Sequence, residues 1–95
     1  MPSRPDARLG RRRLGVEVRP PDPISGAVAS DVDVAGSAGR AGIKAGDVIR
    51  EVNGQSIRSP ADFEAAVRTL DPGAPILMRV QRRGVILYIV VDSRS

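Results

Sequence analysis

The chain has 95 residues, 41 % apolar and 27 % charged, which suits one soluble globular unit with a single modest core. It contains no cysteine and no histidine, so disulfides, the usual zinc, haem and iron–sulfur ligand sets and a Ser-His-Asp triad are excluded, and no cofactor is expected. The net charge of +4 is concentrated at one end: Arg4, Arg8, Arg11, Arg12 and Arg13 face only Asp6 in the first thirteen residues, and the rest of the chain is balanced.

Residues 1–12 carry two prolines and no apolar periodicity, and read as a disordered arm or linker remnant. Their charge stands where an export signal would be apolar, and no apolar run reaches the ~20 residues that span a bilayer, so neither an export signal nor direct membrane insertion is expected. From Leu14 the alternation Leu-Gly-Val-Glu-Val predicts a short strand, stopped by Pro20-Pro21-Asp22-Pro23. A second strand is expected over residues 27–33. Ser37 then caps a short helix over about 38–42, ended by Gly42.

Val48 to Val52 forms a strand, and Asn53-Gly54 is a strong hairpin signal before the return strand Gln55-Ser56-Ile57. Ser59-Pro60 is an N-cap with proline at the first helical position, which predicts the main helix over about 60–70. Phe63, Ala66, Val67 and Leu70 recur at i, i+3, i+4 and i+7 and share its apolar side, with Glu64 and Arg68 pointing away. Two long strands, 76–82 and 85–91, flank the turn Arg83-Gly84, and residues 93–95 form a frayed tail. The order describes an α+β domain over residues 13–92 with five to six strands, one main helix and one short helix.

The segment Gly36-Ser37-Ala38-Gly39-Arg40-Ala41-Gly42-Ile43-Lys44-Ala45-Gly46-Asp47-Val48-Ile49, continued by Glu51-Val52-Asn53-Gly54, resembles the PDZ-domain signature in its bacterial, protease-associated form. With Leu14-Gly15-Val16 ahead of it and the capped helix behind it, the chain looks most like the second PDZ domain of the HtrA/DegP family of periplasmic serine proteases. The resemblance implies a small, partly open β-barrel or sandwich that is not itself catalytic, within a parent serine endopeptidase of the bacterial periplasm or cell envelope. It departs from the family at Arg19 to Ser25, where relatives carry a longer segment.

The resemblance also implies the site. Backbone N–H groups of Leu14, Gly15 and Val16 would receive a peptide's terminal carboxylate, since peptide donors meet a desolvated charge without side-chain entropy cost. Arg13, or Arg12 or Arg11, would add a charge-assisted contact, and the three stand unranked. Val16-Glu17-Val18 would be the strand edge for β-augmentation, with Phe63, Ala66, Val67 and Leu70 as the opposite wall. The partners implied are C-terminal peptides or unfolded polypeptides with apolar ends, and other domains of the parent protease.

Two further readings stay open. The shortened Arg19 to Ser25 segment also suits a PDZ module of another envelope protein, such as a tail-specific or intramembrane protease or a secretion-system subunit. The arginine arm would suit a nucleic-acid or membrane surface, but it lacks interleaved aromatics, so no nucleic acid is expected.

Overall fold

Six strands form one antiparallel open sheet, and the computed structural model, which describes residues 9–19, 26–71 and 73–92, sets three helices around it. In chain order these are α1 (Leu9–Leu14), β1 (Val16–Arg19), β2 (Ala27–Val32), α2 (Ser37–Ala41), β3 (Val48–Val52), β4 (Gln55–Ser56), α3 (Pro60–Arg68), β5 (Pro75–Arg82) and β6 (Val85–Asp92). The sheet runs β1-β2-β3-β5-β6, with β4 paired to β3. The expected loop from Pro20 to Ser25 and the tail 93–95 lie outside the described residues.

Local chemistry explains most of these elements. Asn53 and Gly54 both take positive φ, 51° and 82°, as do Arg83 and Gly84 at 52° and 81°; two consecutive left-handed residues match the twist of antiparallel strands and close the two hairpins. The longer hairpin holds its register from Arg82↔Val85 to Pro75↔Asp92. Ser59 caps α3 by accepting the Asp62 N–H at 3.2 Å, while the Asp62 carboxylate accepts the Arg58 N–H at 3.0 Å, a reciprocal pair that satisfies two otherwise orphaned donors. Helix α3 ends at Arg68, short of the expected residue 70, because Thr69 and Leu70 turn back to donate to Ala66 O and Val67 O.

The core lies between the sheet and α3. Ile49 on the central strand pairs with Ala27 on one side and Val80 on the other, and all three are buried with Val52, Ile57, Phe63, Ala66, Val67, Ile76, Met78 and Val91. Asp47 is buried at the same depth and is the fastening of this end of the sheet. Its carboxylate accepts Arg82 Nε and Nη2, each at 2.7 Å, and the Lys44 N–H at 2.9 Å, while Arg82 Nη2 also donates to Gly42 O at 2.8 Å. The bidentate contact raises the Arg82 pKa above its ordinary value, the hydrogen bond to Asp47 being the main cause.

Two expectations are corrected. Residues 9–12 are not a disordered arm: they belong to α1, so the folded unit begins at least four residues before Arg13. A six-residue helix cannot stand alone, and packing against α3 and β1 holds it. Ser37 does not cap α2; Gly36 holds the N-cap position and no side chain bonds there.

Gly39 in α2 is fixed by close approach, since a β-carbon there would collide with the backbone carbonyl of Asp33 and come within 2.9 Å of Val34 Cα. Alanine in a helix ordinarily gains about 0.5–1 kcal/mol over glycine. Gly39→Ala should instead lower the unfolding free energy by about 1–3 kcal/mol, because backbone cannot step aside as a side chain can. Urea denaturation followed by far-ultraviolet circular dichroism checks the sign.

Candidate functional site

Strand β1 is one edge of the sheet, and Gly10 separates its Val16 carbonyl from the Phe63 ring of α3. Val16 is paired with Val32, and the Asp33 N–H donates to Gly15 O at 2.7 Å, so the Val16–Val32 pair is of the non-hydrogen-bonded kind. The amide and carbonyl of Val16 therefore point away from β2, toward the space beside α3. Val16 is the first residue of the open edge.

That space holds α1. A β-carbon on Gly10 would lie 2.6 Å from the Phe63 ring, 3.0 Å from Val16 O and 3.1 Å from Glu64 Oε2, so Gly10 is wedged between the strand edge and the helix. Its N–H donates to Glu64 Oε1 at 2.8 Å. One turn on, Arg13 donates from Nη1 to Val67 O at 2.6 Å and from Nη2 to Leu70 O at 3.2 Å, meeting carbonyls at the C-terminal end of α3 with a cation. Arg11 lies outside, with Nη1 2.7 Å from Asp31 Oδ2 and 3.2 Å from Glu17 Oε2. Its pKa is raised, first by the hydrogen bond to Asp31 and then by the charge of Glu17.

Of the residues singled out in the sequence, Val16 and Phe63 flank this space and Arg13 reaches the carbonyls of Val67 and Leu70, but they do not form an open groove. Leu14 and Val16 are each 1 % exposed, Phe63 and Val67 0 %, and Ala66 2 %, so all five are covered as the domain stands. Glu17, Val18 and Leu70 are half-buried at the margins. Gly15 takes φ 77°, a turn that glycine adopts without strain, yet its N–H is engaged by Arg11 O at 2.9 Å. Of the three arginines considered for a carboxylate, Arg11 and Arg13 are bonded within the chain, and the Arg12 side chain lies outside the described residues.

Glu64 is a clear correction. Expected to point away, it is 3 % exposed, because α1 covers the side of α3 next to the apolar row. Helical periodicity marks the face toward the sheet and is blind to a second cover. The sequence sign that existed was Gly10, the residue without a side chain before three arginines and Leu14.

The family model for the PDZ domain matches residues 28–82, more than half of the chain. The chain belongs to the PDZ-domain family. Among curated relatives, a probable DegP-like periplasmic serine endoprotease of Halomonas elongata is 34 % identical over 91 residues, which cover 85 % of this chain and 19 % of that protein. The regulator of sigma-E protease RseP of Salmonella typhimurium is 34 % identical over 93 residues, covering 96 % of this chain and 19 % of that protein. The PDZ domain thus spans about a fifth of the curated relatives it matches. The crystal structure of the HtrA3 PDZ domain bound to a phage-derived ligand, FGRWV, superposes with a TM-score of 0.73 at 26 % identity, covering 83 % of this chain and 81 % of that one. A PDZ domain is a non-catalytic, peptide-binding module, and this one is related to those of HtrA proteases.

Because Phe63 is core and Leu70 is rim, their truncations should separate. Phe63→Ala should lower the unfolding free energy by about 3–5 kcal/mol, and Leu70→Ala by less than about half of that. Equilibrium urea unfolding of both variants measures the difference.

Proposed function

We propose that this PDZ domain captures the C-terminal end, or an extended internal segment, of another polypeptide by adding it as a strand to the open edge of β1. The observation that carries the reading is the outward-turned amide and carbonyl of Val16 facing α3 across a space already wide enough to hold a chain segment. Val16, Glu17 and Val18 supply the edge, and the backbone around Leu14, Gly15 and Val16 supplies donors for a terminal carboxylate. Phe63, Ala66, Val67 and Leu70 form an apolar wall that suits an apolar terminal side chain.

In the parent protein the module would serve substrate recognition or regulation of an HtrA-like serine endopeptidase, with other domains of that protein as further partners. Several curated relatives are named as periplasmic, which supports a periplasmic or cell-envelope setting. The match to the regulator of sigma-E protease across 96 % of the chain favours one alternative, a PDZ module of a different envelope protease. The arginine-arm reading is disfavoured, since Arg11 and Arg13 are bonded within the domain.

The test uses the pentapeptide FGRWV with a free and with an amidated C-terminus. Affinity for the free form should exceed that for the amide by about tenfold or more, the value of charge-assisted hydrogen bonds lost with the carboxylate. The amide resonances of Leu14 to Val18 should shift on titration. Equal affinities with unmoved Leu14 to Val18 resonances would overturn the assignment.

A further inference from the structure

We infer that α1 is the resident occupant of its own groove, so that the domain is closed at rest and a polypeptide end binds by displacing its own N-terminal helix. The inference rests on the peptide-binding reading and adds the regulation of that site.

Two contacts carry it. The first is spatial: the Gly10 backbone lies between Val16 O on the strand edge and the Phe63 ring on α3, in the place an added strand would need. The second concerns donors: the Gly15 N–H, one of those expected to meet a terminal carboxylate, is bonded to Arg11 O, the last hydrogen bond of α1. Residues 10–13 therefore block the edge, cover part of the apolar wall and consume a carboxylate donor. Unwinding α1 would release all three at once.

The attachments suit a displaceable element. Gly10 is held by one bond to Glu64, and Arg13 by two bonds to carbonyls of α3. Arg11 is held by ion pairs with Asp31 and Glu17 that are about half exposed and so contribute little. A helix this short has no stability once undocked. A ligand's affinity is reduced by the fraction of molecules that are open, so anything that undocks α1 strengthens binding without touching the ligand.

The test compares the full chain with Gly10→Val, whose side chain would meet the Phe63 ring and the Val16 carbonyl. Binding of the free-acid peptide FGRWV is followed by amide resonances, and hydrogen exchange of residues 10–13 is measured in the wild type with and without saturating peptide. If nine-tenths or more of the molecules are closed, Gly10→Val should bind ~tenfold tighter or better. Exchange at residues 10–13 in the wild type should accelerate as peptide saturates. Should Gly10→Val fail to fold, the wild-type exchange measurement decides alone.

Unchanged or weaker binding by folded Gly10→Val, or continued protection of residues 10–13 in the saturated wild type, overturns the inference. If those results come with shifts at Val16 to Val18, the peptide-binding reading stands and only the resident helix is refuted. Absence of binding to either protein, or binding without those shifts, refutes both.

Discussion

A hydrogen atom in place of a side chain at Gly10 lets one backbone pass between the Phe63 ring and the Val16 carbonyl, and the state of the groove follows from that passage. A chain with two aromatic residues has few large groups with which to build a core. Its only phenylalanine stands at the boundary between sheet, α3 and α1, and burying such a ring is favourable by roughly 2–3 kcal/mol relative to leaving it in water. With the proposed groove empty, part of that surface would be exposed along with Val16 and Val67. Docking α1 hides it, so the hydrophobic effect that builds the core also closes the site.

The arginines have a second meaning in this light. Five positive side chains near one end invite the idea of an anionic partner, yet Arg11 reaches Asp31 and Glu17 on the first two strands, and Arg13 reaches the end of α3. Charge here links α1 to β1, β2 and α3 rather than to an anionic partner. Asp47 and Arg82 act alike between β3 and β5, where a buried carboxylate ties the turn after α2 to the end of β5.

What the sequence made legible was local. The hairpins at Asn53-Gly54 and Arg83-Gly84, the cap at Ser59 and the signature from Gly36 to Gly54 each depend on a few adjacent residues whose backbone preferences are strong. The apolar row of α3 could likewise be read from spacing alone. Helix α1 was not legible, because Leu9-Gly10-Arg11-Arg12-Arg13-Leu14 has a poor helix former within it and no apolar stripe, and its conformation is set by contacts 54 residues away in the chain. The burial of Glu64 was hidden for the same reason: its cover is α1, of which Gly10 was the one sign in the sequence. The residues proposed to line the site come from the resemblance, while whether the site stands open was not a local property.

The two rings divide the molecule's optical signature. With no tryptophan, the near-ultraviolet spectrum comes from Tyr88 and Phe63 alone. Tyr88 is 67 % exposed on β6, so its signal says little about packing, whereas Phe63 is wholly enclosed and touches the Gly10 backbone. The sharp phenylalanine bands of the circular dichroism spectrum thus belong to one side chain at one junction. The domain carries an intrinsic, label-free reporter placed where α1 meets α3.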